Sequence, residues 1–274
     1  MARPAQVSAA VPTLPRPHCD LYYEVHGAGD PTAPALVFAH GLGGNHLSWW
    51  QQLAHFAGRH TCVVFSHRGF ASSPEAPGGP GLAGFADDLL ALLDHLGLHA
   101  PVLVGQSMGG WTCTLLAAAR PDRVRALVLA CTTGAITHPE LDAIFAAHLA
   151  RGLPALPPHV SVAAGLRLAR EQPAMNVLYN QVAALSPWLD RRAVMATLVA
   201  MRTVPLAALR GPLLCVTGEE DLLIPPSAVT WLVGHVPGAR LHHEPAAGHS
   251  VYWERPAAFN RALAEFLAAL PPAR

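Results

Sequence analysis

The sequence predicts an α/β protein with a mostly parallel central sheet flanked by helices and a helical segment inserted late in the chain. Three observations predict it. Short apolar runs bounded by turns, such as 35–39, 61–65 and 101–104, read as strands buried on both faces. They alternate with helix patterns as far as residue 133, and such alternation favours right-handed crossovers and parallel pairing. Beyond 133 the alternation stops for about seventy residues and then resumes, which is too long for a structureless loop.

In order, residues 1–17 hold four prolines and two arginines without a continuous apolar run. They read as a loose leader and not as a signal peptide. Residues 19–26 are rich in strand formers, and Gly27-Ala28-Gly29-Asp30-Pro31 supplies a turn. The strand 35–39 ends at His40-Gly41-Leu42-Gly43-Gly44; a helix pattern follows over 47–56, then the strand 61–65. After the loop around Ser66-His67-Arg68-Gly69, Leu89, Leu92, Leu93 and Leu96 recur at helical spacing, with Gly97 just past the end. The strand 101–104 leads into Gly105-Gln106-Ser107-Met108-Gly109 and a helix that stops before Pro121; 126–131 is a further strand. Residues 134–206 contain only helix-like segments and prolines, and are expected to form a helical cap over a core made of 1–133 and 207–274. Strands resume at 212–217 and 239–244, and the last helix begins near Pro256 with Phe259, Leu263, Phe266, Leu267 and Leu270 on one face.

Composition narrows the function. At 274 residues, 51% hydrophobic and 13% charged, the chain is long enough to bury a large core. Eighteen basic residues balance eighteen acidic ones, so no net field attracts nucleic acid or an anionic membrane. Every fixed cation is arginine: the chain has no lysine, which removes Schiff-base chemistry, Ser-Lys dyads and a P-loop lysine. Five cysteines without C-x-x-C spacing read as reduced thiols of a cytoplasmic protein. No run is apolar and long enough to span a bilayer. Neither an H-E-x-x-H motif nor a cysteine cluster points to a metal, and no cofactor is expected.

The chemistry centres on Ser107. Its G-x-S-x-G setting is that of a nucleophile elbow, where glycines let a strand turn sharply into a helix and leave the serine exposed. Helix amides opening at Met108 offer partial positive charge to an anion forming beside it. A serine needs a base, and the base needs a group that holds its tautomer. Two loops offer candidates. Glu219, Glu220 and Asp221 follow one late strand; His249 follows another, with His242 and His243 inside the preceding strand pattern. The glycines 41–44 suit close backbone approach to a substrate, since no lysine follows to make a phosphate cradle.

Taken together, His40-Gly41-Leu42-Gly43-Gly44, the Arg68-Gly69 loop, the serine elbow, Gly218-x-x-Asp221 and Gly248-His249 resemble, in order, the signals of a serine hydrolase of the α/β-hydrolase fold with a helical cap. The resemblance covers nearly the whole chain from Cys19 onward. It implies Ser107 as nucleophile, His249 as general base and then acid, and Asp221 as the group orienting the imidazole. It also implies an oxyanion hole from the backbone amides of Leu42 and Met108. Dehalogenases and epoxide hydrolases of this fold carry aspartate where Ser107 stands, so serine favours acyl transfer. The region from His40 to Gln52 resembles the carboxylesterase and enol-lactonase branch most. The expectation is a serine carboxylesterase for small acyl esters, with a small-molecule ester as partner; a lactonase or C–C bond hydrolase is the alternative, and a non-catalytic ligand-binding receptor the remaining one. Many relatives have an aspartate at the position of Ser66, so here Arg68 lacks that anion.

Overall fold

The computed structural model describes residues 12–27 and 33–271. The apolar runs become strands because their side chains alternate between two apolar faces. In β3 (Leu36–Ala39), Leu36 and Phe38 enter one core cluster, while Val37 and Ala39 enter the other. Before it lie β1 (Thr13–Arg16) and β2 (Cys19–His26); after it come α1 (Trp50–Phe56), β4 (Cys62–Phe65), α2 (Phe85–His95) and β5 (Val102–Gln106). Next are α3 (Met108–Ala119) and β6 (Ala126–Ala130).

Among the described residues these strands join two later ones, β9 and β10, in an eight-stranded sheet of order β1-β2-β4-β3-β5-β6-β9-β10, where β9 is Leu213–Gly218 and β10 is Arg240–Glu244. All pairings from β4 to β10 are parallel; β1 and β2 are antiparallel. One face packs on α2 and α3 through Leu89, Leu92, Leu93 and Trp111. The other packs on Trp49, Phe56, Phe259, Leu263 and Phe266, the last three from α10 (Pro256–Ala268).

Between β6 and β9 the chain makes α4 (Pro139–Leu149), α5 (Gly165–Glu171), α6 (Pro173–Ala183) and α7 (Arg191–Ala200). The short parallel strands β7 (Ile136–Thr137) and β8 (Val204–Pro205) pair at the two ends of this segment, where the sequence shows only helices. Their pairing closes the neck of the insertion, and two-residue strands leave no periodic signal to read. Two other expectations change. Residues 13–16 are not loose, because they pair in register with Cys19–Tyr22 as the edge strand; residues 1–11 of the expected leader lie outside the described residues, as do 28–31 of the expected turn. A helix not marked by the sequence, α8 (Pro226–His235), connects β9 to β10 and buries Val229 and Leu232 on the first face. The last element before α10 is the single turn α9 (Val251–Glu254).

All five cysteines are buried and unpaired. Among the described residues no helix is long and apolar enough to cross a membrane.

Candidate active site

β5 runs into α3 through Ser107, whose backbone adopts φ 49° and ψ −117°. A residue with a side chain holds such a conformation at a cost of about 1–3 kcal/mol. The surroundings impose it. A Cβ at Gly105 would stand 2.6 Å from the carbonyl oxygen of Gly109, and one at Gly109 only 2.1 Å from that of Ala39. Strand and helix thus cross too closely for side chains at either flank, and Ser107 is left facing a cavity.

β9 ends at Gly218, and the turn after it carries Asp221. The Asp221 Oδ1 accepts the N–H groups of Leu223 and Ile224, each at 2.9 Å, which fixes the carboxylate. Both its oxygens face Nδ1 of His249, at 3.0 and 2.9 Å. A carboxylate only accepts, so Nδ1 carries the proton and Nε2 is left with its lone pair. Both residues are almost wholly buried. The neighbouring carboxylates are spent elsewhere, Glu219 on His243 and Glu220 on Arg167. His242 and His243 lie on the edge strand β10.

Ser107 and His249 line the same cavity. No hydrogen bond joins the Ser107 hydroxyl to His249 among the described residues; in unliganded hydrolases this contact is often long and closes on substrate. Leu42 also lines the cavity, while Met108 opens α3 from beneath. Neither amide is taken by a turn, loop or cap carbonyl among the described residues, so both are available to an external acceptor.

The loop bearing Leu42 rests on a chain of buried imidazoles. His40 Nδ1 donates to the Gly41 carbonyl at 2.9 Å, so its Nε2 accepts, and it does so from both the amide and Nδ1 of His67, each at 3.0 Å. His67 Nε2 then accepts from the Thr112 hydroxyl at 2.9 Å. Only neutral rings satisfy this order. Burial pushes His40 down to about 3 and His67 well below the usual histidine range.

Arg68 finds its anions elsewhere than at position 66. Its Nε and one terminal nitrogen each donate to Asp88 at 2.6 Å, and the other terminal nitrogen donates to Glu75 at 3.0 Å. Ser66 instead receives the amide of His46 and lies 2.9 Å from His46 Nδ1.

Three groups beside the site escape the sequence patterns. Gln106, between Gly105 and Ser107, donates from Nε2 to the His249 carbonyl at 3.0 Å; its place inside the elbow motif is the signal that could have marked it. Glu254, five residues after His249, accepts the amides of Gly248 and Ser250 at 2.9 and 3.0 Å, and burial raises its carboxyl to about 7. Cys131 has its sulfur within 4.8 Å of donor atoms of Asp221 and His249. As a metal set these three fit poorly, because Asp221 and His249 Nδ1 are committed to each other and burial holds the thiol protonated.

The cavity measures about 320 Å³, at the small end for ligand pockets. Leu42, Trp111, Met195, Leu198, Leu223 and Ile224 give it apolar walls, and among the described residues Arg191 is the one permanent charge on its lining. Trp188, from the inserted segment, lies outside it and donates from its indole to the Gly69 carbonyl; Met201 packs against the core.

Comparison with known proteins agrees with this architecture. Residues 34–159 match the family described as alpha/beta hydrolase fold. The chain is similar to the sn-1-specific diacylglycerol lipase ABHD11 of Mus musculus, 33% identical over 88% of this chain and 83% of that protein. It is also similar to the putative carbamate hydrolase RutD of Caulobacter sp. (strain K31), 29% identical over 90% and 95% of the two chains. Among solved structures, Est816, described as an N-acyl homoserine lactone degrading enzyme, superposes with a TM-score of 0.74 at 27% identity, covering 93% of this chain and all of that one. The chain belongs to the alpha/beta hydrolase family.

Proposed function

We propose that this α/β-hydrolase is a serine carboxylesterase that cleaves small acyl esters through an acyl-enzyme intermediate. Ser107 attacks the ester carbonyl while His249 Nε2 takes its proton. Asp221, hydrogen-bonded to Nδ1, holds the tautomer and stabilises the imidazolium that forms. The amides of Leu42 and Met108 receive the oxyanion; one such donor is worth about 10²–10³ in turnover. His249 then returns the proton to the leaving alcohol, and water repeats the sequence to release the acid. No cofactor takes part. Residues 134–206 act as a cap over the 1–133 and 207–274 core, and Met195 and Leu198 from it supply apolar wall.

The observation that carries this reading is the His249–Asp221 pair opening onto the cavity that holds the strained Ser107. The size and apolar lining of that cavity support a small acyl or alcohol group. By their descriptions the relatives are a diacylglycerol lipase, a putative carbamate hydrolase and an N-acyl homoserine lactone degrading enzyme, which supports hydrolysis of a small carbonyl compound. The likeness to a lactone-degrading enzyme favours a lactonase as the second reading.

Hydrolysis of p-nitrophenyl esters from C2 to C12, beside an enol-lactone and a ring-cleavage diketone, tests these readings in wild type and Ser107→Ala. Rapid cleavage of short esters, lost in the variant, supports the esterase. Turnover of the lactone or diketone alone moves the assignment to the lactonase or C–C hydrolase. Tight ligand binding with no product from any of them overturns enzymatic function in favour of a binding protein.

A further inference from the structure

Glu254 is 1% exposed, and its carboxylate makes no ion pair among the described residues. A buried carboxyl without a cation is costly unless its hydrogen bonds are well made. Here they are spent on two main-chain amides, Gly248 N–H to Oε2 and Ser250 N–H to Oε1. These are the amides on either side of His249.

Capping of a helix does not account for the pair. Ser250 is the N-cap of α9, so a carboxylate reaching back to its amide resembles a capping interaction. Gly248 lies two residues further out, beyond any capping pattern, and α9 is only four residues long. What the two bonds enclose is the base residue itself. Two polar groups of this residue itself are also held: its carbonyl by Gln106 and its Nδ1 by Asp221.

The same loop touches the inserted segment. The Ser250 hydroxyl donates to the Ala163 carbonyl at 2.5 Å, Tyr179 Oη lies 3.3 Å from it, and Gln172 Nε2 donates to the main-chain carbonyl of Glu254 at 3.3 Å. The loop that carries the imidazole is therefore shared between the core and the inserted segment, and the Glu254 carboxylate is the group that joins its two sides.

We propose that Glu254 is a positioning residue for the base: by accepting the amides of Gly248 and Ser250 it holds the main chain before and after His249, and so aims the imidazole from Asp221 toward Ser107. This rests on the reading of His249 as base. Glu254→Gln keeps the shape but presents an NH₂ to one of the two amides, so one side of the loop is released. Glu254→Asp keeps the acid but draws it back by one methylene, too short to span both.

The test compares wild type, Glu254→Gln and Glu254→Asp by steady-state kinetics on a short p-nitrophenyl ester, by thermal unfolding, and by the low-field proton resonance of His249 Nδ1–H. A misaimed base costs turnover and not substrate binding. In both variants kcat is expected to fall about 10- to 100-fold with KM within about twofold, and the resonance to shift or broaden. A merely structural role would lower the unfolding temperature and leave kcat per folded molecule and the resonance unchanged; that result overturns the proposal. If the Gln variant does not fold, the Asp variant is read by the same criteria. If wild type cleaves no ester and a fluorophosphonate probe does not label Ser107, the esterase reading fails, and the resonance comparison still decides the role of Glu254.

Discussion

Gln106 Nε2 donates to the main-chain carbonyl of His249 at 3.0 Å, joining the residue before the serine to the residue proposed as its base, 143 positions along the chain. Removing the amide leaves that carbonyl buried without its partner. Gln106→Leu is expected to destabilise the fold by about 1–3 kcal/mol. Urea unfolding followed by circular dichroism measures it, and an unchanged midpoint would show that the contact contributes nothing.

Ser107 and His249 act, in the proposed mechanism, as one unit. Either residue changed to alanine is expected to lower kcat by up to about 10⁶, and the double variant to lose little more. The background left after the first change comes from substrate binding and the two oxyanion amides, which neither substitution touches. Kinetic losses that multiply in the double variant would place the two residues in separate roles.

Acid is expected to act on stability as well as on the base. His40 and His67 stay neutral in the folded protein well below the ordinary histidine value of 6.5, whereas the unfolded chain takes up protons there. Unfolded molecules then bind more protons than folded ones, so stability is present above pH 6.5 and is lost as pH falls toward about 3, by up to about 1.4 kcal/mol per group per pH unit. Glu254 opposes this. Its raised carboxyl retains a proton between 4.5 and about 7 that the unfolded chain has released, so its own contribution declines as pH rises through that window. Two histidines outweigh one carboxyl, and net stability falls on acidification. Chemical denaturation at a series of pH values checks this, and His67→Gln should flatten the acid slope by about one proton.

Arg68 and Asp88 form a buried, two-pronged ion pair. Asp88→Asn leaves Glu75 as the carboxylate paired with Arg68 and takes the carboxylate from Arg16 as well, and is expected to cost about 3 kcal/mol. Thermal unfolding reads the loss. Ser66→Asp should not recover it, because Ser66 faces His46 and not the guanidinium.

The sequence by itself determined the alternation of strand and helix, the elbow at Ser107, and the two late loops that carry Asp221 and His249. Those features are local. Apolar periodicity reports which faces are buried, and glycine at positions 105 and 109 reports a backbone crossing with no room for a side chain. The Gly218-x-x-Asp221 spacing favoured Asp221 over Glu219 and Glu220, and packing brings only Asp221 onto His249. Tertiary structure also decided where Arg68 finds its anions, why His40 and His67 are neutral, how residues 13–16 become an edge strand, and that Glu254 brackets His249. Each of these is a pairing between groups whose spacing in the chain carries no period, so only the folded geometry, by excluding water and demanding a partner for every buried polar atom, specifies which partner is met.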